Sequence, residues 1–158
     1  MCVFKQLHFF CTQNNVSLSS AESCTAGFLA SKIVSVSGAS TFFKGGLITY
    51  QNETKINVLG VSKSLIKEKS EVCREVVEQM AKHVRDKFSS DFSIATSGYA
   101  GPGGGTEENP VGTVFFAISS QKATVSKRLV FVGDRESVVM QAVVKGVEFL
   151  LQELKNQK

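Results

Sequence analysis

The period of the apolar positions changes several times along the chain, and each change marks an element. Val3, Phe4, Leu7, Phe10 and Cys11 recur at helical spacing until Asn14–Asn15 stops them, which predicts an amphipathic helix over Met1 to Asn14. Val16 to Ala21 alternates apolar and small polar residues like a strand, and Thr25 to Val36 returns to helical character before Gly38 ends it. Gly45–Gly46 reads as a bend, with a strand over Leu47 to Gln51 behind it. From Leu65 to Phe88 the apolar residues Val72, Val76, Met80 and Val84 lie on one stripe, predicting one or two amphipathic helices. Phe92 to Ser97 is a short apolar strand, and Gly98 to Asn109 is a glycine-rich loop. Val111 to Ser119 and Thr124 to Val132 are extended runs joined by a short polar link, an antiparallel hairpin. Arg135 to Asn156 closes the chain as a helix whose stripe is Val139, Val143, Val147, Leu150, Leu151 and Leu154. Strands alternate with helices and a hairpin follows, so the expected architecture is one layered α/β domain over residues 1–158 with a mixed sheet.

Composition narrows the class. With 158 residues, 42% apolar and 20% charged, the chain is long enough to bury roughly 68–70% of its unfolded surface. Cys2, Cys11, Cys24 and Cys73 show no CxxC or zinc spacing, and no charged-then-apolar leader precedes them. A reduced, cytoplasmic setting without disulfides is the expectation. No apolar run approaches the ~20 residues that span a bilayer, so a soluble protein with no membrane partner is expected. The net charge of +4 is spread without a basic block, and no nucleic-acid partner is expected. His8 and His83 lie far apart without a further ligand at metal-compatible spacing, so no metal is expected either.

Candidate chemistry concentrates in GASTFFKGGLITYQNETK, residues 38–55, which holds Ser40, Tyr50 and Lys55. Asn52 is a good N-cap, which places Lys55 in the first turn of a helix, at the end where unpaired N–H groups oppose a cation. A lysine acting as base near neutrality needs its pKa lowered from about 10.4 to about 7–8, roughly 4 kcal/mol in all. The helix end supplies about 0.3–1 kcal/mol when exposed, and burial or a second cation must supply the rest. Tyr50, on the strand leading into this turn, is expected to bring its phenol beside Lys55. Ser40 has to return across the Gly45–Gly46 bend, which the spacing permits without requiring. On spacing alone, an exposed Ser40, a packed Tyr50 and a solvated Lys55 stand as the alternative.

Two further stretches stand out. SSAESCTAG, residues 19–27, runs from a strand end into a helix start, where Glu22, Ser23 and Thr25 are placed to cap the helix or to face a ligand. Cys24 has no histidine nearby in sequence and is not taken as a nucleophile. SGYAGPGGGTEE, residues 97–108, follows a strand, as a ligand loop in an open α/β sheet does. It lacks the Gly-Lys-Ser/Thr ending of a phosphate loop, and Pro102 interrupts any dinucleotide fingerprint. Its glycines suit a close approach of backbone or ligand, so a site wall is expected.

Together, AESCTAG at 21–27, GASTFFKGGLITYQNETK at 38–55 and SGYAGPGGGTEENPVGTVFFA at 97–117 resemble the CinA C-terminal domain family, the nicotinamide-nucleotide amidases. The resemblance implies a three-layer α/β/α sandwich with a mixed sheet. It also implies hydrolysis of nicotinamide mononucleotide to nicotinate mononucleotide and ammonia in pyridine nucleotide salvage, without metal or cofactor. Homodimers or larger homo-oligomers are implied as well. By that resemblance Ser40 attacks, Lys55 is the base and Tyr50 the relay. The implied substrate contacts are Glu22, Ser23, Thr25, Ser97, Gly98, Gly101, Gly103, Gly104, Gly105, Thr106 and Arg135. A guanidinium at Arg135 also suits a neutral Lys55 and a substrate phosphate. The chain departs from the family pattern at Ala26, where glycine is usual and a methyl could narrow the pocket, at Cys73, where serine is common, and at Val132, where proline is common. Longer relatives carry a pyrophosphatase domain; none is expected in these 158 residues. The alternative functions are a catalytically silent pyridine-nucleotide-binding module and an interaction protein in competence or DNA repair.

Overall fold

The computed structural model describes residues 1–157 of the chain. In order it runs α1 (Val3–Asn14), β1 (Leu18–Glu22), α2 (Phe28–Ile33), a short 3-10 turn (Ala39–Thr41), β2 (Phe43–Ile48), α3 (Asn52–Asn57), α4 (Lys63–Lys69), α5 (Arg74–Phe88), β3 (Phe92–Gly98), β4 (Thr113–Ser120), β5 (Thr124–Val130) and α6 (Arg135–Asn156). One sheet joins the strands in the order β2-β1-β3-β4-β5. β1 pairs parallel with β2 and β3, while β3–β4 and β4–β5 are antiparallel. The predicted mixed α/β architecture is the one observed.

Period-two alternation along the strands feeds two cores. On one face Leu18, Ile94, Val114, Phe116 and Ile118 meet Leu7 of α1, Leu29 of α2 and Val143, Val147 and Leu150 of α6. On the other, Ala21, Ala95 and Ala117 meet Val76, Val77, Met80 and Val84 of α5. These three alanines are paired in register across β1, β3 and β4. A row of methyl groups leaves room for the valine and methionine stripe of α5 to lie close to the sheet, where close packing retains dispersion contacts. The result is three layers, α/β/α. Among the described residues no helix is long and apolar enough to cross a membrane.

Several boundaries differ from expectation for local reasons. Gly45–Gly46 is not a bend; it lies inside β2. A Cβ at position 45 would sit 2.7 Å from the Phe88 ring of α5, and one at 46 would collide with Ser20 Oγ on β1. The glycines admit neighbours rather than turn the chain. The 65–88 stretch forms two helices, broken around Ser70, whose φ of 92° is the left-handed side of backbone space.

The predicted helix over Thr25 to Val36 is confined to Phe28–Ile33, because Ala26 (φ 46°) and Gly27 (φ 92°) turn the chain ahead of it. Ala26 is exposed and does not border the cavity described below, so its methyl does not narrow it. An alanine in left-handed backbone costs about 1–2 kcal/mol relative to an unstrained conformation. Ala26→Gly removes that strain while enlarging the entropy of the unfolded chain. We expect a net gain of about 0.5–1 kcal/mol, read as a higher urea midpoint at unchanged m-value.

Candidate active site

β1, β2 and β3 run parallel and end at the same edge of the sheet. The β1-to-β2 connection carries α2 on one face, and the β2-to-β3 connection carries α5 on the other. The chain therefore parts above β1 and β3, the place where open α/β sheets leave a crevice. A cavity of about 400 Å³ opens there. Ser23 and Cys24 enter it from the end of β1, Tyr50 to Asn52 from the end of β2, and Gly98 to Gly101 with Gly103 from the end of β3. Glu71 and Val72 close it ahead of α5, and Arg135 closes it from the start of α6.

Lys55 lies beneath this cavity and is fully buried, at 0% exposure. Its Nζ is 2.9 Å from the Thr49 carbonyl oxygen, 3.0 Å from the Tyr50 carbonyl oxygen and 3.0 Å from Ser23 Oγ. Two of these three partners can only accept a hydrogen. In the neutral amine both N–H bonds are thereby committed, and the remaining lone pair faces the Ser23 hydroxyl. Burial pushes the Lys55 pKa down, opposed by the charge of Glu71 and by Cys24. Cys24 is itself pushed up to about 12 by burial, so at neutral pH it is a thiol and its opposition vanishes. No ion pair to Lys55 forms among the described residues. A buried amine without a counter-ion favours its uncharged form.

Ser40 is not brought to Lys55 within this chain, which corrects the expectation. It is exposed on the Ala39–Thr41 turn, ahead of β2, whereas Thr49 and Tyr50 follow that strand. Because the glycine pair extends β2 instead of bending it, six residues at about 3.3 Å each, roughly 20 Å, lie between the two ends. Ser23 takes the place expected of Ser40. Tyr50 is also corrected in part: its carbonyl holds Lys55, but its phenol turns outward, is half exposed, and accepts from Arg135 Nη2 at 2.8 Å. Arg135 Nη1 donates to the Gly101 carbonyl at 2.7 Å, so the guanidinium spans the mouth between the segments after β2 and β3. Burial, not Arg135, is what lowers Lys55.

Of the other expected contacts, Ser23, Gly98, Gly101 and Gly103 border the cavity, while Glu22, Thr25, Ser97, Gly104, Gly105 and Thr106 do not. The Glu22 carboxylate, 1% exposed, accepts from the Gly27, Leu29 and Ala30 backbone N–H groups at 2.8–3.0 Å and from Thr25 Oγ1 at 2.6 Å. It ties down the start of α2, and the Thr25 hydroxyl also meets Thr96 Oγ1 at 2.8 Å. Buried Ser97 donates to the Glu71 carbonyl at 2.9 Å, pinning the segment ahead of α5. Thr106 Oγ1 accepts from the Asn109 N–H in an exposed turn. Sequence reasoning did not single out Glu71, Val72, Gln51 and Asn52 as cavity residues, and no local pattern marks them.

A family model described as the CinA C-terminal domain matches residues 3–154. A CinA-like protein of Flavobacterium psychrophilum is 44% identical over 143 residues, covering 90% of this chain and 34% of that protein. A protein of Shewanella oneidensis named nicotinamide-nucleotide amidohydrolase PncC is 42% identical over 125 residues, covering 79% of this chain and 30% of that protein. The chain thus spans about a third of the length of these curated relatives. The crystal structure of the competence damage-inducible protein A from Klebsiella pneumoniae superposes with a TM-score of 0.95 at 33% identity, covering 99% of this chain and 97% of that one. With the match running nearly end to end and the fold shared, the chain belongs to the CinA C-terminal domain family.

Proposed function

We propose that this domain is an amidohydrolase that converts nicotinamide mononucleotide to nicotinate mononucleotide and ammonia, with Ser23 as nucleophile and Lys55 as its base. The observation that carries this reading is the buried Lys55 amine, held by two carbonyls with its third direction on Ser23 Oγ. The relative named as a nicotinamide-nucleotide amidohydrolase supports the substrate. In the first half-reaction neutral Lys55 takes the Ser23 proton as Oγ bonds to the carboxamide carbon, and the carbonyl electrons move onto oxygen. When the carbon–nitrogen bond breaks, the ammonium of Lys55 returns the proton to the departing nitrogen, giving ammonia and an ester on Ser23. The same amine then takes a proton from water as it attacks the ester, and returns it to Ser23 Oγ. Backbone N–H groups of the segment after β1, which borders the cavity at Ser23 and Cys24, are the proposed oxyanion donors. Arg135 at the mouth supplies the cation for the phosphate, with Tyr50 steadying it. A homodimer or larger homo-oligomer in the cytoplasm, with no nucleic-acid partner, is part of the same reading.

The test is wild-type turnover of nicotinamide mononucleotide, with ammonia and nicotinate mononucleotide formed in equal amounts. Absence of both products sinks the proposal. The pH profile has a defined sign. The active form is the neutral amine, so kcat/KM is present above the folded-state pKa of Lys55 and falls as pH drops through it. Because burial lowers that pKa, the acid limb sits below the range of an exposed lysine, about 10.4. A limb in that ordinary lysine range removes Lys55 from the base role.

A further inference from the structure

Two charged side chains line the cavity among the described residues, Arg135 and Glu71. Arg135 is engaged with Gly101 and Tyr50 at the mouth. Glu71 borders the same cavity, and its charge opposes the lowering of the Lys55 pKa. No described cation forms an ion pair with it. Its carboxylate is nevertheless positioned. Ser70 Oγ donates to Glu71 Oε2 at 3.2 Å, accepts from the Val72 N–H at 3.2 Å, and lies 3.4 Å from the Tyr99 hydroxyl. Ser70 does this with φ 92° and ψ 157°, a region that residues other than glycine seldom occupy. Such strain persists where the surroundings over-determine it, and here it places a carboxylate without a counter-ion against the wall of a cavity.

Resting on the amidase reading, we infer that Glu71 is a substrate-selecting residue: it provides the counter-charge for a cationic, N-glycosylated pyridinium ring and disfavours neutral-ring carboxamides. The ring nitrogen of a nicotinamide nucleotide carries a formal positive charge and lies two bonds beyond the ring carbon that bears the carboxamide. With the carboxamide carbon at Ser23 and the phosphate at Arg135, the ring occupies the inner cavity between Cys24, Glu71 and Tyr99. A carboxylate facing a cation in a partly desolvated cavity is favourable, while the same carboxylate facing a neutral ring is desolvated without return. The cavity then reads opposite charges at its two ends.

The experiment compares nicotinamide mononucleotide with its ring-reduced dihydro form, which keeps the phosphate and carboxamide but has a neutral ring. For wild type and Glu71→Gln, ammonia release gives kcat/KM for each, and calorimetry gives Kd for each. We expect wild type to prefer the cationic ring by about tenfold or more, and the ratio to fall toward one in Glu71→Gln, mainly through KM and Kd. Equal losses on both substrates would mean that Glu71 only tunes Lys55 or supports the fold, and would overturn the inference. So would a wild-type enzyme indifferent to ring charge, or one that binds neither nucleotide. Should wild type bind but release no ammonia, the amidase reading fails by itself. The Kd ratios then decide the role of Glu71 independently.

Discussion

Ser23→Ala is expected to lower ammonia release from nicotinamide mononucleotide by about 10³-fold or more, because removing the attacking atom leaves only substrate positioning and oxyanion donors. Ser40→Ala should keep the wild-type rate. The contrast follows from geometry: Ser23 Oγ lies 3.0 Å from the buried amine and borders the cavity, while Ser40 is exposed on a turn at the far end of β2. Neither change should unfold the protein. Ser23→Ala removes one partner of Lys55 but leaves both carbonyl acceptors, and an exposed serine-to-alanine change stays within about 0.5 kcal/mol. Matching circular dichroism for the three proteins makes the rates comparable. Full turnover by Ser23→Ala, or a collapse in Ser40→Ala, would reassign the nucleophile; the latter outcome would require the Ser40 of a second copy to reach the cavity.

The second large effect concerns stability. Glu22→Ala is expected to cost about 3–5 kcal/mol, since a buried polar group left without a partner costs about 1–3 kcal/mol and the change orphans several at once. The three backbone N–H groups at the start of α2 and the Thr25 hydroxyl all donate to this carboxylate. With a domain stability of about 5–15 kcal/mol, such a loss lowers Tm by about 10 °C or more. Glu22→Gln keeps one acceptor oxygen and replaces the other with a donor, so it should fall between wild type and alanine. A Glu22→Ala protein as stable as wild type but unable to bind nucleotide would restore Glu22 as a substrate contact and remove it as the anchor of α2.

Local pattern carried much of the architecture. The stripe from Val139 to Leu154 predicts α6 with the bounds observed, Arg135–Asn156. The hairpin of β4 and β5 appears where two extended runs flank a short polar link. These elements were legible because helix and strand periods are local properties of a few consecutive residues. The glycine pair in β2 suggests a bend in the sequence because glycine answers two different demands, a turn or a close neighbour, and only the neighbour distinguishes them. Phe88 and Ser20 are those neighbours, one from α5 and the other from β1. A bend at Gly45–Gly46 is the route by which spacing permits Ser40 to approach Lys55, and the continuous β2 closes that route; the assignment of Ser40 as nucleophile rests on the family resemblance.

The order of elements, the mixed sheet and a helix holding Lys55 after β2 are legible in the sequence, although Gln51 rather than Asn52 is the N-cap and the helix is so short that Lys55 also lies in its last turn. Which hydroxyl that amine meets is set by packing across strands. Ser23 is separated from Lys55 by 32 positions along the chain. Parallel pairing sets Glu22 beside Ile48, so the residues just past both strands emerge at the same edge. Contacts made across strands depend on register and on which face each connection takes, and spacing along the chain encodes neither. For the same reason Tyr50 gives its carbonyl to Lys55 and its phenol to Arg135, a division that no count of residues between them foretells.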